Sequence, residues 1–218
     1  MNFTDSEENY LKAIFHLQEM DGVVSTNKLA ERLQTKPSSV TDMMKKLSAK
    51  NLLHYKPYYG FSLNAEGKKI ALLVIRRHRL WEYFLSEKLN FSWNEVHQVA
   101  EELEHVSNKK LIDKLDAFLG YPQFDPHGDP IPDSKGRLTT VDHLNLTELP
   151  LSQTAIISSV KDQSMELLEE LNEKKISIGS RIEVKKRSVF DQSLQVKLNN
   201  RITNITEQLA KHLFVKKV

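Results

Sequence analysis

Residues 25–63, STNKLAERLQTKPSSVTDMMKKLSAKNLLHYKPYYGFSL, decide how the N-terminal third is read. Ser25 or Thr26 can cap a helix over 27–33 whose Leu29, Ala30 and Leu33 point inward. Thr35-Lys36 makes a tight turn, and Pro37 sits in the first turn of the next helix, where its missing N–H costs nothing. That helix runs to about Lys50, burying Val40, Met43, Met44 and Leu47. Leu52–Tyr55 and Phe61–Leu63 then read as the arms of a hairpin with Pro57-Tyr58-Tyr59-Gly60 at its tip. Upstream, residues 4–20 predict another helix, capped by Thr4 or Ser6, with Tyr10, Leu11, Ile14, Phe15 and Leu17 on one face. Asp21-Gly22 stops it, and Val23-Val24 is a short extended piece. Helix, helix, tight turn, helix, hairpin is the winged helix-turn-helix order.

Other small α+β domains share that order, so the content of the third helix matters. Ser38, Ser39, Thr41 and Asp42 lie in its first turns, away from the apolar face, where short polar side chains can reach base edges and phosphates. Lys36, Lys45 and Lys46 can neutralise phosphates, and Lys56 and the hairpin tyrosines, Tyr59 among them, can touch the neighbouring DNA backbone. The net charge of +2 is uninformative, but its distribution is not. Between Lys36 and Arg79, a series of Lys and Arg meets only Asp42 and Glu66 as acids, which suits a polyanion.

Downstream, the periodicity predicts a long helix over 66–89, then helices over 93–106 and 110–119, the second capped by Ser92. Three helices behind a DNA-reading head suit a dimerisation element, since such proteins read two half-sites through a two-fold axis. Residues 120–140, rich in Pro, Gly and Asp, form a linker. Beyond it, short strands at 155–160, 182–186, 194–198, 202–205 and 213–215, with a helix at 164–173, predict a small SH3-like barrel. The fold is thus expected to be mainly α with small β parts. Its three domains are a winged helix-turn-helix over 1–65, a helical dimerisation and metal-binding domain with its linker over 66–140, and an SH3-like domain over 141–218.

No apolar run approaches the ~20 residues of a membrane span, and no signal-like N-terminus precedes the first helix, so a cytoplasmic protein is expected. The absence of cysteine excludes disulfides, thiolate ligands and cysteine catalysis. Against that background, His97-Gln98-Val99-Ala100-Glu101-Glu102-Leu103-Glu104-His105 stands out. On an ideal helix His97, Glu101, Glu104 and His105 share an arc of about 100°, opposite the apolar Val96, Val99, Ala100, Leu103 and Val106; Glu102 points elsewhere. His78 and Glu82, four apart, share one face of the preceding helix. Either group alone is usually a solvated face. Together they offer oxygen and nitrogen donors suited to Mn²⁺ or Fe²⁺, with Zn²⁺ and Co²⁺ also able to bind. A winged-helix regulator answering to a small organic ligand is the alternative, with Trp81, Tyr83, Phe84 and Trp93 as pocket candidates. No nucleophile motif, phosphate loop or acid/base pair stands beside the cluster, which argues against an enzyme.

Several strings together resemble the diphtheria toxin repressor and manganese transport regulator family of metal-dependent repressors. They are Glu8-Asn9-Tyr10-Leu11, Lys36-Pro37-Ser38-Ser39-Val40-Thr41, Leu63-Asn64-Ala65-Glu66-Gly67, Arg77-His78-Arg79-Leu80-Trp81-Glu82, Glu101-Glu102-Leu103-Glu104-His105 and Pro126-His127-Gly128-Asp129-Pro130-Ile131-Pro132. The resemblance spans nearly the whole chain. It implies a homodimer on a palindromic double-stranded operator, gated by Mn²⁺ or Fe²⁺, with an FeoA-like C-terminal domain. Glu101, Glu104 and His105 are implied in a primary metal site and His78, Glu82 and His97 in a second; the glutamate at 101, where iron-responsive members carry cysteine, favours manganese. Asn9 stands where the family has a first-helix ligand, Met or Asp, and offers only a neutral carbonyl oxygen. Lys12 stands where the manganese branch has a ligating Glu. Longer members draw further ligands from the SH3-like domain, in the region of Asp162, Gln163 and Glu166.

Overall fold

The computed structural model describes all residues except 1–2, 57–58, 94, 140–142 and 162–163. Compactness divides the chain into two units: residues 1–81, 101–120 and 131–138 in the first, and 82–100, 121–130 and 139–218 in the second.

In the first unit, α1 (Asp5–Asp21) starts at a capping box: Thr4 accepts from the Glu7 amide, and Glu7 accepts from the Thr4 amide. Helices α2 (Thr26–Arg32), capped by Ser25, and α3 (Pro37–Ala49) follow. Strands β1 (Leu53–Lys56) and β2 (Gly60–Leu63) pair antiparallel from Leu53↔Leu63 to Lys56↔Gly60. The extended Val24 bridges to Phe61, so the linker between α1 and α2 adds to the wing. Leu11, Ile14, Leu29, Val40, Met44, Leu47, Leu52 and Phe61 form the core, each within a few per cent of complete burial, and each stabilises the head by roughly 1.5–3 kcal/mol. Met43 packs on this core only partly buried. The hairpin tip at Pro57-Tyr58 lies outside the described residues.

Helix α4 (Ala65–Leu89) begins hard against this head. A Cβ on Gly67 would lie 2.0 Å from the Leu52 carbonyl oxygen, so glycine is what allows the helix to approach that backbone. Within the same unit, α6 (Lys109–Phe118) is tied to α4 by Arg76, which holds Asp116 at 2.6 Å and donates to the Pro132 carbonyl at 2.6 Å. Helix α5 (Val96–Leu103) is shorter than expected and gives way to a turn at Glu104-His105. The Val106 amide bonds back three residues to the Leu103 carbonyl, and the Arg77 guanidinium takes the Glu104 carbonyl that another helical turn would have used.

Glu7 is fully buried with Lys50 at 2.7 Å and Lys46 at 3.1 Å. Burial alone would raise its pKa; Lys50, the Thr4 amide and Lys46 outweigh that and hold it at about 2. A depressed carboxylate stabilises the fold above its unfolded value near 4.5 and loses that contribution as pH falls towards 2. Glu7→Gln is therefore expected to cost about 2 kcal/mol at pH 7, allowing for screening at half-exposed Lys46. Thermal melts of both proteins should converge between pH 4.5 and 2; a constant difference down to pH 2 would dismiss the ion pairs as its source.

The second unit carries a six-stranded antiparallel sheet in the order β3-β8-β4-β5-β6-β7. Its strands are β3 (Leu144–Asn145), β4 (Thr154–Val160), β5 (Arg181–Arg187), β6 (Leu194–Leu198), β7 (Arg201–Ile205) and β8 (Leu213–Lys217). Alternation in β4 to β6 turns Ala155, Ile157, Ile182, Val184, Leu194 and Val196 into the core, where α7 (Met165–Glu173) adds Leu168 and Leu171. Among the described residues the sheet is an open one, its edge strands β3 and β7 not joining. The short β3 and helix α8 (Glu207–Lys211), capped by Thr206, were not anticipated; five residues are too few for a helical period to declare itself.

Candidate metal centre and nucleic-acid interface

Helix α1 presents Glu8 and Lys12, four apart, on one side. Buried Glu104 is the hub they meet. Lys12 Nζ lies 2.7 Å from each Glu104 carboxylate oxygen and 3.3 Å from Glu101 Oε1. His78 Nδ1 is 2.7 Å from Glu104 Oε2, and His105 Nε2 is 3.8 Å from Glu104 Oε1. The other His105 nitrogen meets Glu8 Oε2 at 2.9 Å, and Arg77 clamps Glu8 at 2.7 Å. Burial would raise the Glu104 pKa, but His78 and the Lys12 ammonium outweigh it and keep the group below the usual carboxylate range. His16, one turn after Lys12, is driven down to about 3 by burial and then by Arg79, Lys12 and Arg32, so it stays neutral.

On α4 and α5, His78, Glu82 and His97 each offer a ligand atom, all within 4.8 Å of one another. Glu82 is fully buried; its Oε1 lies 3.2 Å from His97 Nδ1 and 3.9 Å from His127 Nε2. His127 is held in place from several sides. It stacks on Trp93 at 5.3 Å and accepts from the Val160 amide at 3.1 Å, while Asp125 accepts from the amides of His127 and Asp129. The neighbouring Gly128 lies so close to β4 that a Cβ would come 1.9 Å from the Ser158 carbonyl oxygen.

The expected donors thus fall into two groups, Glu101, Glu104 and His105 with His78, and Glu82 and His97 with His78. Glu101 is half exposed. Asn9 is half-buried on α1; the α1 side chains bonded to the Glu104 cluster are its neighbours Glu8 and Lys12. Sequence reasoning passed over Glu8, whose signal is its four-residue spacing from Lys12, and over His127, which lies in a string that the family resemblance had already marked. Asp162 and Gln163 lie outside the described residues, and Glu166 is exposed in the first turn of α7. All the donors are carboxylate oxygens and imidazole nitrogens, with no thiolate in the chain. That set fits a hard or borderline divalent ion such as Mn²⁺ or Fe²⁺. Trp93, a candidate for an organic-ligand pocket, is instead spent on His127 and on the core of the sheet.

On the head, Lys36, Ser38, Ser39, Asp42, Lys45 and Lys46 are exposed along the front of α3, and Tyr59 stands out at the wing. Thr41 is half-buried, its hydroxyl donating to the Pro37 carbonyl at 3.0 Å. Asp42 pairs with Lys45 at 3.4 Å, whereas Lys46 is partly engaged by Glu7.

Residues 2–61 match the iron dependent repressor N-terminal DNA binding domain, 64–133 the iron dependent repressor metal binding and dimerisation domain, and 144–217 the FeoA domain. The HTH-type transcriptional regulator MntR of Oceanobacillus iheyensis is 36% identical over 118 residues, covering 54% of this chain and 80% of the relative. The iron-dependent repressor IdeR of Mycobacterium leprae is 30% identical over 131 residues, covering 60% of this chain and 57% of the relative. A solved manganese-dependent transcriptional repressor in complex with manganese superposes with a TM-score of 0.88 at 32% identity, over 97% of this chain and all of that one. The chain belongs to the diphtheria toxin repressor and manganese transport regulator family of metal-dependent transcriptional repressors. Members of this family are DNA-binding repressors rather than enzymes, and the matched domains are those of a homodimer on operator DNA.

Proposed function

We propose that this protein is a cytoplasmic, non-enzymatic repressor whose operator affinity is raised by Mn²⁺ or Fe²⁺. Residues 1–65 read DNA, 66–140 bind metal and dimerise, and 141–218 form the FeoA-like domain. The observation that carries this reading is the meeting at Glu104 of α1, which belongs to the DNA-reading head, with His78 of α4 and His105 beyond α5. One group of ligands is Glu101, Glu104, His105 and His78, with Asn9 offering at most a carbonyl oxygen; the other is His78, Glu82 and His97. A bound ion would supply the divalent charge that draws these donors together. The chain's own part is to transmit that positioning through α1 to α3.

On the DNA side, Ser38, Ser39, Thr41 and Asp42 would face base edges, while Lys36, Lys45, Lys46 and Tyr59 would face phosphates. Two such heads on a two-fold dimer would suit a palindromic operator. Leu111 and Phe118, seven residues apart on α6 and exposed, supply apolar surface for a partner chain.

The test is fluorescence anisotropy on DNA from the protein's own upstream promoter, at fixed salt, with Mn²⁺, anaerobic Fe²⁺, Zn²⁺ or chelator. Tightening by tenfold or more, roughly 1.4 kcal/mol of coupling, is expected with Mn²⁺ or Fe²⁺. Tight binding indifferent to chelator would keep the DNA reader and discard metal gating.

A further inference from the structure

The Glu104 cluster already contains a cation, and it belongs to the protein. Lys12 Nζ sits 2.7 Å from both oxygens of a buried carboxylate and 3.3 Å from a second carboxylate, with its own side chain largely buried. That is how a chelated ion sits, on a tether anchored in α1. The charge balance points the same way. Three carboxylates, Glu8, Glu101 and Glu104, face two cations, Lys12 and Arg77, leaving a single negative charge when His78 and His105 are neutral. A divalent ion added to that set overshoots to positive. Without Lys12 the same donors carry two negative charges, the match for one divalent ion.

We propose that Lys12 is a resident counter-cation that closes the Glu101–Glu104 pair when metal is scarce, so that a divalent ion enters this cluster only by displacing the ammonium. This rests on the metal-gated reading above and makes two statements beyond it. The Glu104 cluster binds metal more weakly than the cluster around Glu82 and His97, and α1 is fastened to the turn after α5 even without metal. Lys12 therefore sets the metal concentration at which the cluster fills. Arginine in its place would keep the charge, whereas glutamine would release the site.

The experiment is equilibrium dialysis of the full chain against Mn²⁺, with bound metal counted by mass spectrometry, for wild type, Lys12→Gln and Lys12→Arg. Melting temperatures are measured in parallel in chelator and in Mn²⁺. Lys12→Gln should bind its weaker ion at least tenfold more tightly than wild type does, melt lower than wild type in chelator, and gain more from Mn²⁺. Lys12→Arg should follow wild type in both measurements. Superimposable isotherms for wild type and Lys12→Gln, with metal bound by both, overturn the role of Lys12 and leave metal gating standing. No metal bound by any of the three overturns both readings. If Lys12→Gln does not fold, Glu82→Gln in the otherwise wild-type chain decides: it should remove the tighter phase, and loss of the weaker phase instead overturns the proposal.

Discussion

Glu104→Gln is expected to abolish the metal-stimulated gain in operator affinity, a loss of at least tenfold or roughly 1.4 kcal/mol, with folding and oligomeric state preserved. Glu104 is fully buried, and its two oxygens serve Lys12, His78 and His105 at once. Glutamine keeps the volume and one carbonyl oxygen for Lys12 but removes the charge that a divalent ion needs. Alanine removes both and leaves the Lys12 ammonium only the half-exposed Glu101 carboxylate, at a cost of about 3 kcal/mol, so it should lower the melting temperature as well. Anisotropy titrations with and without Mn²⁺, beside size-exclusion profiles, separate the two variants. An undiminished metal response in Glu104→Gln would remove this residue from the metal centre.

Gly128→Ala should also lower stability strongly. The new Cβ would come 1.9 Å from the Ser158 oxygen, 2.8 Å from its carbonyl carbon and 2.9 Å from the Ser159 Cα, all backbone atoms of β4. Gly128 also has φ +85°, where an L side chain is strained. The segment must lift off the sheet, breaking the bond from the Val160 amide to the His127 carbonyl and shifting the imidazole beside Glu82. A loss of about 3 kcal/mol or more is expected, visible as a lowered calorimetric transition of the C-terminal part. Metal affinity of the Glu82 cluster should weaken with it. A variant that melts with the wild type would show that the segment can relax at no cost.

The head was legible because each of its signals is local. The cap at Thr4, the cap at Ser25, Pro37 in the first turn of α3 and the apolar spacing of Val40, Met44 and Leu47 all act within a turn or two of chain. The site was half legible for the converse reason. Extending the helical period past Leu103 grouped Glu104 and His105 with Glu101, although the helix that carries Glu101 ends before the other two; these donors converge through a turn held by Arg77, not through one helical face. The contacts of Glu8 and Lys12 join residues about ninety positions apart, beyond the reach of periodicity. His127 belongs beside Glu82 only because Gly128 brings the chain down onto β4. The SH3-like sheet was legible from the spacing of its strands, which says nothing of whether the edges join.

Glu7 and Glu8 are consecutive, and they look in different directions. Glu7 is locked to Lys46 of α3 and to Lys50 just beyond its end, while Glu8, with Lys12 one turn on, is locked to the turn that carries Glu104 and His105. Under the metal-gated reading proposed above, a signal arriving at these donors would cross to the DNA side through a single turn of backbone. Such a relay has no slack. Small shifts of the donors would become shifts of α3, and the sensitivity of such a switch would be set by how stiffly α1 is gripped on its two sides rather than by how far any part can travel.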